Sequence, residues 1–323
     1  MTRIVEHAFL HKAKINKNDE FYTQLCDIER ELQHYKNHFN NKIVYCNCDD
    51  PLVSNFFAYF VQNFKKLRIK KLICACYKKN KSNLFNTISE NGYYYEYTGK
   101  EKQNITAEDV IPFKGDGDFR GNESIALLKQ ADIVVTNPPF SLFREYVSQL
   151  VQYKKKFLII GNVNAITYRE IFSLIKDNKC WLGVNLGRGI SGFIVPKHYE
   201  LYGTETKIDS NGNRIIATNN CLWLTNMDNS IRNKFIHLVK KYHGNENEYP
   251  KYDNFDGINV NRTKDIPMDY EGAMGVPITF LHKFNPEQFE IIKFRKGNDG
   301  KDLSINGKCP YFRIIVRHKH VSK

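Results

Sequence analysis

The tetrapeptide Asn137-Pro138-Pro139-Phe140 directly follows the apolar run at residues 133–135, which predicts a buried strand that ends in a stiff turn. Both prolines fix φ and lack an N–H, so the turn offers carbonyl oxygens to whatever lies above the strand. Asn137 adds a side-chain acceptor, and Phe140 adds a flat apolar face. These groups can hold an exocyclic amine and stack on its ring. The plain alternative is a turn that merely ends the strand.

Polar residues also follow other predicted strands, and ligands of open α/β sheets bind beyond the carboxyl ends of the strands. Asp49 or Asp50 can receive an ammonium group, and the helix start predicted at Pro51 can receive a carboxylate. Asp118 can accept a hydrogen bond from an adenine amine while Phe119 packs on the ring. A ligand with all these groups resembles S-adenosylmethionine. The alternatives are a helix cap at Asp50 and an ordinary turn residue at Asp118.

The hydrophobic pattern predicts the elements that position these residues. Strands alternate with helices in the first half of the chain, with strands at 43–46, 72–75, 93–97, 133–135 and 157–161 and helices at 27–39, 51–64, 84–90, 142–153 and 166–175. Such alternation indicates a mostly parallel sheet with helices on both faces. The segments 187–196 and 215–225 resemble antiparallel edge strands. From His243 onward the chain is predicted to be irregular, with strand-like pieces at 278–281 and 312–316.

The charge of the chain indicates a polyanionic partner. The net charge is +13 and the pI is about 9.2. One basic cluster alone, such as 154–156, is better explained by a solvated face or a helix end, but the clusters together, with interleaved aromatic residues, favour nucleic acid over an acidic membrane. No apolar stretch approaches the ~20 residues that span a bilayer, and the N-terminus has no apolar segment of a signal peptide. We therefore expect a cytoplasmic protein without a membrane partner.

The cysteines predict neither disulfides nor a metal centre. The eight cysteines lack the compact spacing of a disulfide framework. Cys46 and Cys48, like Cys74 and Cys76, form close pairs in predicted strands, where small buried side chains are the simplest interpretation. The usual two-residue gap and nearby histidine pair of a zinc site are missing, so no metal is predicted.

The order of several motifs resembles that of the EcoRI-type adenine-specific DNA methyltransferases. The matching segments cover most of the chain and lie at 18–23, 45–51 with 54–56, 137–140 and 275–281. This resemblance implies a Rossmann-like class I methyltransferase fold, with a mostly parallel seven-stranded sheet and an irregular C-terminal target-recognition region. It also implies two domains: residues 1–240 would bind S-adenosylmethionine and catalyse, and residues 241–323 would recognise the target.

The resemblance also implies roles for individual residues. Tyr22 and Thr23 match the N-terminal cofactor motif. Asn47, Cys48, Asp49 and Asp50 match the methionine-binding loop. Asp118 and Phe119 match the adenine-binding turn, and Asn137, Pro138, Pro139 and Phe140 match the catalytic motif.

Two segments depart from the general class I pattern. No glycine lies between Cys46 and Ser54, where such enzymes carry a Gly-x-Gly turn. The second strand ends in Cys76-Tyr77-Lys78, where an acidic residue for the ribose hydroxyls is usual. The glycine-rich stretch 187–193 is a separate feature with two interpretations. It either contacts the DNA groove or the flipped base, or it forms a tight hairpin.

The function implied is site-specific methylation of adenine N6 in double-stranded DNA, on a base swung out of the helix. Such an enzyme modifies DNA as part of a restriction-modification system. A cognate restriction endonuclease would act on the same DNA site without forming a stable complex with the methyltransferase. We expect a monomer. The alternatives are methylation of RNA adenine or protein glutamine, because the same amine trap fits both, and a nucleic-acid-binding module without catalysis.

Overall fold

The computed structural model describes residues 22–78, 91–102, 104–186, 190–195, 206–209, 212–216 and 220–320. The chain divides into two compact units. The first consists of Met1–Ser173 with Asn185–Met227, and the second of Leu174–Val184 with Asp228–Lys323. Within the described residues, no helix is long and apolar enough to cross a membrane.

The elements of the described residues are numbered in chain order. The strands are β1 (Tyr22–Thr23), β2 (Ile43–Cys46), β3 (Lys71–Cys76), β4 (Tyr93–Tyr97), β5 (Ile111–Pro112), β6 (Ile133–Thr136), β7 (Lys156–Asn162), β8 (Trp181–Leu186), β9 (Phe193–Val195), β10 (Thr206–Ile208), β11 (Arg214–Ile216), β12 (Cys221–Thr225), β13 (Ile258–Asn259), β14 (Met274–Pro277), β15 (Phe289–Phe294) and β16 (Arg313–His318). The α-helices are α1 (Leu25–Leu32), α2 (Asn55–Leu67), α3 (Asn122–Gln130), α4 (Phe143–Gln152) and α5 (Arg169–Lys176). Short 3₁₀ helices cover Gln33–Phe39, Phe140–Leu142, Val163–Thr167, Glu246–Glu248, Thr263–Asp265 and Ile278–Lys283.

The largest sheet is mixed, and its order is β5-β4-β3-β2-β6-β7-β12-β8. Its centre is parallel from β3 through β2 and β6 to β7, whereas β4, β5 and β12 run antiparallel to their neighbours. The prediction of an α/β fold is confirmed, but the prediction of seven mostly parallel strands is wrong. In β4 buried residues alternate with half-buried Tyr94 and Glu96, and this alternation is typical of an antiparallel strand with one wetter face. The helix predicted at 84–90 lies outside the described residues.

The parallel centre of the sheet is the core of the first unit. The strands β2, β6 and β7 are continuous apolar runs that are buried along almost their whole length, as expected for strands covered on both faces. Helix α2 contributes Phe56, Phe57, Phe60 and Phe64 to this core. Burial of these side chains stabilises the sheet whose strand ends carry the predicted site.

Helix α2 begins four residues later than the sequence suggested. Asp50 and Pro51 were expected to cap and open it, but its first residue is Asn55 and its N-cap is Ser54. The Ser54 hydroxyl accepts the backbone N–H groups of Phe56 and Phe57 at 3.1 and 3.4 Å. The Asp50 carbonyl instead accepts the N–H groups of Val53 and Ser54 and closes a separate turn before the helix.

A second, smaller sheet of the first unit has the order β1-β9-β11-β10 and is antiparallel at each of its strand pairs. The prediction of one strand region over 215–225 is therefore only partly right, because β11 pairs with β9 while β12 joins the large sheet beside β7. At Gly192 the backbone φ is +142°, and a side chain there would meet the Ile216 carbonyl oxygen at 2.6 Å. Residues 187–189 of the glycine-rich stretch lie outside the described residues.

The second unit contains a four-stranded sheet of order β13-β14-β16-β15. The prediction of an irregular C-terminal region is therefore wrong. The short strands escaped detection because long turns separate them and because a bulge between Ile291 and Lys293 interrupts the alternation within β15. The strand-like piece at 278–281 is a 3₁₀ helix that begins after Pro277 and buries Phe280 and Leu281. The strand expected at 312–316 is present as β16.

Gly161 in β7 brings α4 close to the sheet, and we expect its replacement to destabilise the first unit. A Cβ at this position would lie 2.5 Å from the ring of Phe143, the buried first residue of α4. Gly161→Ala should therefore lower the free energy of unfolding by about 1–3 kcal/mol, as overpacking typically does. Denaturant unfolding measures the change. Gly115→Ala is the matched control, because its Cβ would meet only Glu123 Oε2 at 3.8 Å. Equal effects of the two substitutions would contradict this interpretation.

Candidate active site

Three predicted site segments meet beyond the carboxyl ends of β2, β3 and β6. The Cys48 N–H donates to the Thr136 hydroxyl at 3.2 Å, which joins the loop after β2 to the end of β6. The Asp49 N–H donates to the Ala75 carbonyl in β3 at 3.0 Å. The Lys78 N–H, just after β3, donates to the Asp116 carbonyl at 2.8 Å. Parallel pairing of the three strands brings their ends to one edge of the sheet.

Asp49 is the centre of this arrangement. Its carboxylate accepts hydrogen bonds from the hydroxyls of Ser54, at 2.9 Å, and Thr136, and from the backbone N–H of Asn137. Burial raises the pKa of Asp49 from 3.8 to about 6, against the lowering effect of these donors. One carboxylate thus joins the loop after β2, the cap of α2 and the first residue of the predicted catalytic motif. Its oxygens bind groups of the protein, so the ammonium contact proposed for Asp49 or Asp50 falls more naturally to Asp50.

Asp50 retains acceptor capacity. One of its carboxylate oxygens accepts the Leu52 N–H at 3.0 Å, and the other accepts the Tyr93 hydroxyl at 2.8 Å. Each oxygen of a carboxylate can accept about two hydrogen bonds, so one further donor fits on each. The residue is half-buried, which keeps the carboxylate reachable.

Two buried polar groups among the predicted cofactor residues lack a protein partner. Asn47 is 3% exposed, and its side-chain oxygen accepts the Tyr146 hydroxyl, which fixes the orientation of the amide. Among the described residues, no acceptor lies within hydrogen-bonding distance of its Nδ2, and the hydroxyl of Thr23 likewise has no partner. Such groups are costly to bury unpaired. A polar ligand with hydrogen-bonding groups would satisfy them, so Asn47 and Thr23 fit the cofactor role.

The turn at Asp116–Phe119 packs against the end of β3. Gly117 adopts a φ of +78°, and a Cβ there would lie 2.6 Å from the Cys76 carbonyl oxygen, so only glycine fits. The Asp118 carboxylate is bound by the Arg120 side chain at 2.9 and 2.7 Å, and this pairing lowers the pKa of Asp118. Asp118 is therefore held ionised as an acceptor.

Phe119 is buried, and its ring meets the ring of Tyr146 edge-on at 5.1 Å. Tyr146 thus contacts both the Phe119 ring and the Asn47 amide, and it links two of the predicted cofactor segments. Neither Tyr146 nor Arg120 was predicted from the sequence. Arg120 lies two residues after Asp118 and could have been found from that spacing, whereas Tyr146 carries no signal beyond its place on the buried face of α4.

The predicted catalytic tetrapeptide lies at the end of β6. Asn137 is half-buried and Pro138 is buried. Phe140 meets the ring of Phe193 in β9 edge-on, at 6.2 Å between ring centres. Thr23 pairs with Phe193 in the small sheet, so the N-terminal motif is brought to the same neighbourhood. The sequence had placed Phe193 only within a glycine-rich stretch of uncertain role.

A buried carboxylate on α1 anchors the residues before Phe193. Asp27 is fully buried and accepts the N–H of Ser191 at 2.8 Å and its hydroxyl at 2.9 Å. Gln24 donates to the Ser191 hydroxyl and to the Gly192 carbonyl. Burial raises the pKa of Asp27. A single aspartate on a helix face carries no recognisable sequence signal, so these contacts were not predicted.

The raised pKa of Asp49 predicts a specific pH dependence of stability. The folded-state pKa of about 6 lies above the ordinary 3.8, so the folded protein holds this proton more tightly than the unfolded chain does. Stability from this group is therefore present at low pH and is lost as the pH rises between about 4 and 6. Asp49→Asn removes the titration. The variant should gain stability relative to the parent across this window, measured by calorimetry at several pH values.

A second substitution tests the cause of this slope. Thr136→Val removes one donor to the ionised carboxylate while keeping the shape of the side chain, so the pKa of Asp49 should rise further. The loss of stability should then extend to higher pH than in the parent protein. A stability difference between Asp49→Asn and the parent that does not change with pH would contradict the assignment.

The sequence was also compared with protein families and with curated proteins. The family described as "Adenine-specific methyltransferase EcoRI" matches residues 9–319 of the chain. The Type II methyltransferase M.EcoRI of Escherichia coli is 67% identical over the full length of both chains. M.MgeORF184P of Mycoplasma genitalium is 38% identical, over 96% of this chain and 99% of its own. M.MpnI of Mycoplasma pneumoniae is 35% identical, over 96% and 98%.

No solved structure matches the chain. The family nevertheless matches nearly the whole sequence, and the 67% identity to M.EcoRI extends over the full length of both chains. The chain belongs to the EcoRI family of adenine-specific methyltransferases.

Proposed function

We propose that this protein transfers a methyl group from S-adenosylmethionine to the N6 amine of an adenine in double-stranded DNA. The observation that carries the proposal is the position of Asn137–Phe140 at the end of β6, hydrogen-bonded through Asp49 to the loop after β2. Family membership and the net charge of +13 support it, as do the curated relatives named Type II methyltransferases. In the cell the protein acts in the cytoplasm, as the DNA-modifying enzyme of a restriction-modification system.

The residues of the first unit fit the methyl donor. Thr23 and Asn47 offer buried hydrogen-bonding groups without protein partners, and Asp50 offers an acceptor for the ammonium group. Tyr22 lies next to Thr23 in the N-terminal motif, and Cys48 lies next to Asn47 in the loop after β2. Asp118, held ionised by Arg120, and Phe119 serve the adenine end. The donor, when bound, supplies a methyl group activated by a sulfonium sulfur.

The chain's own residues make the adenine amine a nucleophile. The lone pair of N6 is delocalised into the ring, so the free amine is unreactive. The Asn137 side-chain oxygen and the Pro138 carbonyl accept the two N–H groups, which favours a pyramidal nitrogen and stabilises the positive charge that develops on it. Pro139 keeps the turn stiff, so the acceptors need no reorganisation during the reaction.

The target adenine must leave the helix to reach these acceptors, because duplex DNA hides N6 within the base stack. Phe140 offers a stacking face for the extruded base, and Phe193 supports that ring from the small sheet. Recognition of the target sequence is assigned to residues 241–323, which lie in the second unit, and catalysis to residues 1–240. The enzyme acts as a monomer, and a cognate nuclease acts on the same sites independently.

The substitution Asn137→Ala tests the catalytic role. It removes one of the two acceptors, so the rate of methyl transfer should fall by at least about 10²-fold, the usual cost of removing one such group. Binding of DNA and cofactor should persist. Transfer of labelled methyl groups to separate pools of DNA, RNA and protein measures both the role and the substrate. Asn104→Ala, at an exposed position of the first unit outside the predicted site segments, is the control.

Several outcomes would overturn the proposal. Near-normal turnover of Asn137→Ala would remove Asn137 from the chemistry. Methyl transfer mainly into RNA or protein would replace the substrate class. Absence of cofactor binding by calorimetry would favour a binding module without catalysis.

The substitution Phe140→Ala tests base extrusion. Stacking on an aromatic side chain is worth about 1–3 kcal/mol per base, so kcat/KM should fall by roughly 5- to 150-fold on paired DNA. A target adenine placed opposite a mismatched base costs less to extrude. The mismatch should raise kcat/KM for both enzymes. The increase should be larger for Phe140→Ala, because this variant stabilises the extruded base less. Equal gains for the parent and the variant would argue against stacking on Phe140.

A further inference from the structure

A polar cleft lies within the second unit, apart from the residues assigned to catalysis. Its volume is about 360 Å³, and its lining includes Tyr249, Asn259 and Asn261 together with two ion pairs, Lys240–Glu248 and Arg262–Asp265. Neither the catalytic motif nor the predicted cofactor segments contribute to it. The family motif at residues 275–281 belongs to the same unit, and no role was predicted for it from the sequence.

A buried arginine stands behind this cleft. Arg313 is 7% exposed, and its guanidinium donates to the side-chain oxygens of Asn259 and Asn261 at 2.9 and 3.1 Å and to the Tyr311 carbonyl at 2.7 Å. Among the residues that the structure describes, no carboxylate lies within ion-pairing distance of Arg313. Neutral oxygens satisfy its hydrogen bonds but leave its charge uncompensated, and a buried charge without a counter-charge is unfavourable. A polyanion at the cleft would supply that counter-charge.

The same network fixes the direction of the Asn261 amide. Its side-chain oxygen accepts two donors from inside the unit, Asn259 Nδ2 at 2.9 Å and Arg313 Nη2. The oxygen therefore points inward and the NH₂ group is the outer end of the amide. Asn261 is exposed. It offers a donor in a defined orientation rather than a freely rotating amide.

The glycine of the 275–281 motif makes this network possible. Gly275 in β14 pairs with Asn259 in β13, and a Cβ at Gly275 would lie 2.0 Å from the Tyr252 hydroxyl. With glycine there, the buried Tyr252 hydroxyl reaches the Asn259 side-chain oxygen at 3.0 Å. Gly275, Tyr252 and Asn259 therefore form the support on which Asn261 and Arg313 are held.

We propose that this cleft reads the DNA target, with Asn261 and Arg262 donating to acceptor atoms on base edges. This inference rests on the proposed methylation of DNA. Asn261 presents a fixed donor, and the Arg262 side chain is 68% exposed, with its Nε bound to Asp265 at 2.7 Å, which leaves its terminal nitrogens available as donors. Guanine N7 and O6, adenine N7 and thymine O4 are the acceptors that the major groove offers to such donors. Arg313 supplies the positive charge behind them.

The test uses the full-length enzyme and a library of duplexes with randomised sequence, in which methylated adenines are mapped by sequencing. Asn261→Ala and Arg262→Ala should each relax the preference at one base-pair position, lowering discrimination there by about 5- to 150-fold. Asn261→Asp, which replaces the donor by an acceptor, should shift the preference at its position toward a base with an amino group. Tyr252→Phe should relax the same position as Asn261→Ala, because it loosens the support.

Matched controls separate base reading from other effects. Asn298→Ala and Arg317→Ala remove the same side-chain types from the same unit outside the cleft and should keep the parent profile. Unfolding midpoints equal to the parent's exclude loss of folding as the cause of any change. A uniform loss over all sequences with a weaker salt dependence would indicate a phosphate contact and overturn base reading.

The methylation profile of the parent enzyme separates failure of base reading by the cleft from failure of the proposed function. If it methylates a defined site and Asn261→Ala and Arg262→Ala leave that profile unchanged, the cleft is not the reader although the proposed function stands. If the parent methylates no adenine in the library, the proposed function fails and this inference fails with it.

Discussion

The geometry of the first unit depends on one half-buried carboxylate. Asp49 accepts hydrogen bonds from Ser54, Thr136 and the Asn137 backbone, so one side chain holds the start of α2 and the ends of β2 and β6 in register. The loop after β2 lacks the glycines that such loops usually carry, and hydrogen bonds to Asp49 take over part of their task of shaping the turn. The raised pKa shows that burial of the charge is costly, and its three donors offset part of that cost.

Close packing of side chains then holds the neighbouring predicted site segments in place. Gly161 lets Phe143 approach the sheet directly, which fixes α4 immediately after the predicted catalytic tetrapeptide. Tyr146 on the same helix contacts both Asn47 and Phe119. From the other side, Asp27 holds the strand that carries Phe193 against Phe140. In the proposed reaction, acceptors held this way would need little reorganisation when charge develops on the substrate, which is the condition for effective electrostatic stabilisation.

The second unit uses the same physical device for a different purpose. A buried polar group again fixes the direction of exposed ones: Arg313 binds the inner atoms of Asn259 and Asn261, and the outer donor of Asn261 is left at the cleft. The difference lies in the charge. Asp49 is surrounded by its donors, whereas Arg313 has only neutral partners among the described residues and suits a site that meets a polyanion.

The sequence alone determined the family and the central apolar strands, and it predicted a catalytic role for the tetrapeptide at residues 137–140, because these inferences depend on local residue types and their order. Only the tertiary structure decided the antiparallel direction of β4, the start of α2 at Asn55, the four-stranded sheet of the second unit and the roles of Asp49, Tyr146, Asp27 and Arg313. Strand direction depends on partners distant in the chain. The role of a buried charged or polar residue likewise depends on which donors and acceptors the fold brings to it, and no local pattern encodes that meeting.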